Sequence, residues 1–294
     1  MTTVAELIEA VYDHLLQEHR PTLTTLAVAA LSGDTAMTVD NTTNLGPGTF
    51  IAIDDELVYV SDVNSSNGVC QVIRGQRGTT AAAHALAAVV EINPRFARYR
   101  VRRALQEEIR SFPNDLFGTL SVDLDTSTDA AGYDLVGVPS TYLHILDVQL
   151  GPRTQSLNDA VVRPNYYEVR GADATIYASG AGIVLTGAAG SIRDLRVTVA
   201  VPFVTSTFTD ATTLATIGLT ATMEDIPPLG AASRLMVGRE VKRTFGEGQP
   251  ESRRAEEVPV GSSSGTATYL RRETTRRINE ECIRLRAQWP MRRL

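Results

Sequence analysis

Between residues 22 and 93 the chain loses helical periodicity and breaks into short β-type runs. The runs at 23–31, 36–39, 49–53, 56–63, 69–73 and 88–92 are rich in Val, Ile, Leu and Thr. Turn chemistry separates them: Ser32-Gly33-Asp34, Gly46-Pro47-Gly48, Asp54-Asp55 and residues 64–68. Asp54-Asp55 between Ile53 and Glu56 predicts a tight hairpin, and Asn67-Gly68 predicts another. Six such strands in about 70 residues predict a small antiparallel barrel or sandwich.

Helical patterns flank this stretch. Residues 3–19 place Leu7, Ile8, Val11, Leu15 and Leu16 on one face, with Thr3 and Glu6 spaced as a capping box and Pro21 as the stop. Residues 94–111 return to helix, with Asn93 as the expected cap and Pro94 at the first helical position. Val101, Ala104, Leu105 and Ile109 form its apolar side, and Arg95, Arg98, Arg102 and Arg103 occupy much of the rest.

A second β-rich stretch follows, with strands expected at 119–124, 142–150, 166–170, 174–178, 182–185 and 195–204. Residues 212–222 fit helix or strand. Pro227-Pro228 opens a helix to about Phe245, with Leu229, Ala232, Leu235 and Met236 expected inward. Its small residues Gly230, Ala231 and Ala232 let a neighbouring backbone come close. Residues 246–265 are rich in Gly, Pro, Ser and Glu and read as an arm. The last helix is expected over 268–289, stopped by Pro290, with Leu270, Ile278, Cys282, Leu285 and Trp289 as a narrow apolar seam.

The expected class is therefore α+β. A helical core (1–21, 94–112 and 222–246) carries two β-rich, antiparallel barrel- or sandwich-like modules, at 22–93 and 113–221. A C-terminal arm and helix occupy 247–294.

The 294 residues suit about two domains, and 43% apolar with 21% charged residues is a globular composition. Residues 1–93 carry 3 basic and 11 acidic groups, whereas residues 94–112 carry 6 and 2. Residues 113–222 carry 5 and 11, and residues 223–294 carry 14 and 10. Every basic residue except Lys242 is arginine. Its planar fork suits carboxylates, which favours protein contacts. A mainly acidic body argues against a protein that grips duplex DNA. No run is long and apolar enough to span a membrane, and no signal-type segment opens the chain, so folding in a cytoplasm is expected. Cys70 and Cys282 read as two buried free thiols.

No catalytic constellation, metal set or cofactor loop emerges. Gly261-Ser262-Ser263-Ser264-Gly265 matches a nucleophile elbow in letters but sits in the arm, without the strand and helix that chemistry needs. Gly75-Gln76-Arg77-Gly78-Thr79 lacks the Gly-Lys-Ser/Thr ending of a phosphate loop and reads as a turn with positive φ at its glycines. Asp123, Asp125, Asp129 and Asp134 are spaced faintly like a calcium loop, but Thr128 stands where glycine is required, so they read as a solvated acidic loop. His14, His19, His84 and His144 form no metal-ligand spacing, and His84 is expected to hydrogen-bond a loop. The arginine-rich last helix fits docking onto a partner protein better than intramolecular packing or nucleic-acid binding.

Three patches carry a family resemblance. The first is Ile53-Asp54-Asp55-Glu56, then Arg74-Gly75-Gln76-Arg77-Gly78-Thr79, Ala81-Ala82-Ala83-His84 and Asn93-Pro94-Arg95-Phe96. The second is Pro228-Leu229-Gly230-Ala231-Ala232-Ser233-Arg234-Leu235-Met236 with Gly238-Arg239-Glu240. The third is Glu280-Glu281, Arg284-Leu285, Trp289-Pro290 and Arg292-Arg293. In this order they resemble the head-to-tail connector (adaptor) proteins of long-tailed, siphovirus-like bacteriophages, especially those of actinobacteria.

The resemblance implies a non-enzymatic virion protein of the neck, made in the host cytoplasm. It implies a ring of twelve subunits under the portal, with DNA passing through the lumen and no sequence-specific binding. Its partners would be the portal protein, stopper and tail-terminator proteins, and further copies of itself. The last helix would bind the portal through Leu270, Arg271, Arg272, Arg276, Arg277, Ile278, Leu285, Arg286, Trp289, Arg292 and Arg293. Arg95, Arg98, Arg102, Arg103, Arg234 and Arg239 would meet acidic modules of neighbouring subunits. Two β-modules are large beside a minimal helical connector. The alternatives are a tail-completion or minor tail protein, a cell-wall-directed virion enzyme, or a carbohydrate-binding module.

Overall fold

The computed structural model describes residues 2–15, 22–125, 132–152, 163–171, 177–186, 193–246 and 262–289. The class is α+β. In chain order the helices are α1 (Val4–Leu15), α2 (Arg98–Arg110), α3 (Leu214–Ile217), α4 (Ile226–Gly246) and α5 (Ser262–Gln288). Between α1 and α2 lie β1 (Thr22–Thr25), β2 (Ala36–Thr38), β3 (Phe50–Ile53), β4 (Glu56–Asn64), β5 (Val69–Ile73) and β6 (Val89–Ile92). Between α2 and α3 lie β7 (Gly118–Asp125), β8 (Gly132–Asp134), β9 (His144–Pro152), β10 (Asn165–Arg170), β11 (Ala181–Thr186) and β12 (Arg193–Val201). The chain divides into two compact units: Val4–Ile109 with Asp225–Thr274, and Met1–Thr3 with Arg110–Glu224 and Thr275–Leu294.

In the first unit, β1 to β6 form one antiparallel sheet in the order β1-β6-β3-β4-β5-β2. Its two edges meet. Leu26 bridges Val39, Ala27 N donates to Thr38 O at 2.9 Å, and Asp40 N donates to Thr25 O at 2.9 Å. The sheet thus rolls into a small barrel, which leaves fewer strand edges open. Met37, Ile51, Ile53, Val58, Val60, Cys70, Val72 and Val90 fill it at alternate positions along the strands. The first strand ends at Thr25 rather than near residue 31, because Leu26 and Ala27 divide their hydrogen bonds between Ala88 and Thr38. Asp54 takes a left-handed φ of 51° in the two-residue link that pairs Ile53 with Glu56.

The helices of this unit bury faces spaced by three and four residues. On α1 these are Val4, Leu7, Ile8, Val11 and Leu15, and α1 packs on α4. α2 begins at Arg98, not at Pro94. Asn93 does not cap it. Asn93 sits at φ 49°, donates from its N–H to Phe50 O at 2.7 Å, and accepts from Phe50 N at 3.2 Å. Its backbone and amide thus prolong the pairing to β3.

The contact face of α4 also differs from expectation. Gly230, Ala231, Ala232 and Ser233 are buried, while Leu229, Leu235 and Met236 are only half-buried. Close approach selects the small residues, since large side chains cannot enter a narrow gap.

The second unit is a two-layer sandwich. One sheet has the order β7-β12-β9, the other β10-β11-β8, and all pairs are antiparallel. Leu135, Val148, Ile183, Leu195, Val197 and Val199 lie between the layers. β8 was not anticipated. It is three residues long, and a Cβ at Gly132 or at its partner strand's Gly182 would run into the Tyr177 ring. The strand expected over 174–178 falls mostly outside the described residues, and Tyr177 and Ala178 are not in a strand. Residues 212–222 form α3, capped by Thr213 and closed by Gly218 at φ 94°, then a 3-10 turn, Ala221–Met223.

α5 starts at Ser262, six residues earlier than expected, so the serine–glycine run opens a helix. Residues 247–261 of the expected arm lie outside the described residues. Both cysteines are buried free thiols.

Candidate functional site

Among the described residues three glutamates are buried, and arginines clamp each of them. The most complete cluster sits in the barrel. Glu56 opens β4 in the same alternation as Val58 and Val60, so its side chain points inward, and it is 2% exposed. Arg74 binds it through both ends of its fork: Nε donates to Oε1 at 2.7 Å and Nη2 to Oε2 at 2.6 Å. Gly75 N donates to Oε1 at 3.0 Å, Ala82 N donates to Oε2 at 3.1 Å, and His84 Nε2 lies 2.9 Å from Oε2. His84 Nδ1 lies 2.9 Å from Asp54 Oδ2, and the His84 backbone exchanges hydrogen bonds with Ala30. Thr79 Oγ1 accepts from Leu57 N at 3.1 Å and donates to Gln76 O at 2.8 Å. Gly75 (φ 63°) and Gly78 (φ 83°) take left-handed backbone, and Arg77 does so too at φ 54°.

Burial pushes the Glu56 carboxyl upward. The Arg74 fork, the Ala82 amide, His84 and the Gly75 amide outweigh it, so the group moves from its ordinary 4.5 down to about 2. Its lone pairs are all occupied. A carboxylate has about four acceptor sites, and five donor positions already face it. The cluster therefore anchors the loop 74–84 to the barrel and leaves no acceptor for a substrate proton.

The second cluster joins three helices within the same unit. Glu108 of α2 is 1% exposed. It accepts from Arg234 Nε of α4 and, at 2.9 Å, from Arg271 Nη1 of α5. Gly230 packs directly on the Glu108 side chain, so that a Cβ there would overlap its Cγ and Cδ. Ser233 Oγ donates back to Gly230 O at 2.7 Å.

The third cluster belongs to the sandwich unit. Glu281 is 5% exposed and accepts from Arg284 Nε at 2.6 Å, with Arg277 Nη2 at 3.8 Å. Thr222 Oγ1 faces both Glu281 and Arg284, and Arg277 also donates to Thr222 O at 3.0 Å.

The arginines expected at interfaces are largely engaged by the chain itself. Arg98 pairs with Glu9 at 3.2 Å, Arg102 with Asp55 at 2.6 Å, and Arg103 with Glu107 at 2.9 Å. Arg234 and Arg271 share Glu108. Arg276 pairs with Glu280, Arg277 also reaches Glu280 at 2.8 Å, and Arg286 pairs with Asp115 at 2.6 Å. Arg95 and Arg272 are exposed. Arg239 lies on α4 with its side chain outside the described set, and Arg292 and Arg293 lie outside the described residues.

Nor is the apolar seam of α5 free. Leu270, Cys282 and Leu285 are buried within the chain, and Ile278 and Trp289 are half-buried. The exposed apolar groups of α5 are Tyr269 and Ile283 instead.

Of the other singled-out residues, Asp123, Asp134 and His144 have partners within the chain, while His19 and Asp129 lie outside the described residues. Asp123 pairs with Arg196, which holds its carboxyl below the ordinary range. Asp134 accepts from Ser179. His144 stacks edge-on against Phe117 at 5.2 Å. Among the described residues, no three His, Cys, Asp or Glu side chains converge as a metal site, and no helix is long and apolar enough to cross a membrane.

The sequence reading missed the buried glutamates, although both clearest cases left a trace. Glu108 falls in register with Val101, Ala104, Leu105 and Ile109, and Glu56 shares parity with Val58 and Val60. No protein-family model matches the sequence, and no curated protein is found to be similar to it.

Proposed function

We propose that the chain is a non-enzymatic structural protein of a long-tailed phage neck, a ring subunit that joins the portal to the tail around the DNA channel. One observation supports this above others. Each of the three patches of the connector resemblance contributes to a buried-glutamate cluster: Glu56, Arg74 and His84 from the first, Gly230 and Arg234 around Glu108 from the second, Glu281 and Arg284 from the third. The likeness thus falls on residues that hold helices and loops together, where a shared architecture leaves its mark. The saturated carboxylates are consistent with a scaffold.

On this reading the portal-facing surface of α5 is its outer face, with Tyr269 67% and Ile283 66% exposed beside Arg272. Cutting the chain at Gly246 would also remove Leu270, Cys282 and Leu285 from its interior. Surface substitutions are therefore the cleaner test. Tyr269→Ser with Ile283→Ser is expected to weaken capture of purified portal by about tenfold or more while leaving the melting temperature in place. Unchanged capture would overturn the assignment of this face.

Deletion of the gene tests the neck role itself. Electron microscopy is expected to show DNA-filled heads without tails, or heads that leak DNA. Tailed particles with normal necks would overturn the reading and favour a tail-completion or minor tail protein.

A further inference from the structure

A shallow groove on the barrel unit lies where β3 and β4 meet the start of α2. Phe50, Leu57, Ala97 and Tyr99 make its apolar floor. Arg77 and Arg100 stand at its rim, and both are exposed. These two differ from most arginines among the described residues. Arg74, Arg98, Arg102, Arg234 and Arg271 are each held by a carboxylate. Arg77 and Arg100 have no carboxylate partner among the described residues.

Arg77 is also fixed in place. Its guanidinium lies 4.7 Å above the Phe50 ring, and Phe50 is braced edge-on by Tyr59 at 5.3 Å. It is held there from a left-handed backbone, φ 54°, that a non-glycine residue adopts only at a cost. A cation already ordered loses little freedom on binding an anion. The surroundings limit the size of that anion. The groove draws on residues 22–93, with seven acidic and two basic groups, and on residues 94–112, with two acidic and six basic, so the charge around it is near balance rather than strongly basic. A polyanion such as nucleic acid needs a run of unpaired cations, which this balance does not offer, whereas two guanidinium groups suffice for a single carboxylate on an otherwise neutral segment.

We infer that this groove binds an acidic peptide segment of a partner protein. An apolar side chain lies on the floor of Phe50, Leu57, Ala97 and Tyr99. The neighbouring Asp or Glu carboxylate takes the guanidinium groups of Arg77 and Arg100.

The test uses the full chain and a blocked peptide, acetyl-Ser-Phe-Glu-Ser-amide, which has no terminal charge. Side-chain Nε–Hε resonances of arginine are followed by NMR during the titration. Saturable shifts at Arg77 and Arg100 are expected. Replacing the peptide glutamate by glutamine, or combining Arg77→Gln with Arg100→Gln, is expected to weaken binding about tenfold or more. The exposed Arg272→Gln leaves it unchanged, and circular dichroism verifies that the variants remain folded. Three results would overturn the proposal: no saturable shift up to ~10 mM peptide, equal binding of the glutamine peptide, or tighter binding at the same resonances by a single-stranded DNA 12-mer.

Discussion

Glu56→Gln is expected to cost the barrel about 4 kcal/mol, within the range for breaking a buried ion pair. The glutamine amide keeps the shape but turns one acceptor oxygen into a donor. That donor would face Arg74 Nη2, the Ala82 amide or His84, and the Arg74 side chain, only 8% exposed, would lose its counter-charge. Hydrogen exchange measured by segment is the right probe, because it reads the barrel separately from the second unit. Amides of β3 to β6 should exchange about a thousandfold faster. Asp54→Asn is the control. The Asp54 side chain is 73% exposed, so losing its contact with His84 should cost no more than about 1 kcal/mol.

The same group predicts a pH profile. Glu56 is depressed from 4.5 to about 2 by folding. Its contribution, about 3 kcal/mol, is complete above pH 5 and disappears as the pH falls through 2. The wild-type melting temperature should therefore fall more steeply between pH 5 and pH 2 than that of Glu56→Gln. Parallel curves would mean that Glu56 is not the group responsible.

Gly230→Ala should destabilise the first unit by about 2 kcal/mol, although alanine is the better helix former by about 1 kcal/mol. The added methyl meets the Glu108 side chain, which is enclosed and held by Arg234 and Arg271. Either α4 moves away from α2, or Glu108 leaves its arginines. Gly265→Ala offers the opposite case within α5. Nothing lies within 4 Å of a Cβ at Gly265, and the residue is exposed, so the same substitution should be neutral or gain up to about 1 kcal/mol. Opposite signs in urea midpoints would show that close approach of α4, rather than helix propensity, selects glycine at 230. A stabilising Gly230→Ala would refute that.

Local chemistry made most elements legible. Alternation and turn residues place all six barrel strands, because a half-buried strand repeats every two residues and a two-residue link admits few conformations. The apolar spacing of α1 and α2 is equally direct. Misreadings occur where a residue answers to a distant partner. Asn93 has the composition of a helix cap, yet it serves Phe50, which is 43 residues away. β8 exists because β11 supplies its partner, and its glycine and aspartate lend it little strand propensity.

The candidate sites divide in the same way. The patch from Asp54 to Glu56 and from Arg74 to His84 was visible as a pattern, but only the fold shows that it converges on one carboxylate. The arginines of α2, α4 and α5 looked like outward-facing forks, because composition cannot reveal that Glu108 and Glu281 lie inside to receive them. The sequence alone determined the α+β class, the two β-rich stretches and the apolar faces of α1 and α2, since these follow from periodicities of two and about 3.6 residues. Tertiary structure alone decided which charges are consumed internally and which, like Arg77 and Arg100, remain for a partner. That depends on which side chains folding brings within a few ångströms of one another, and spacing along the chain carries no such information.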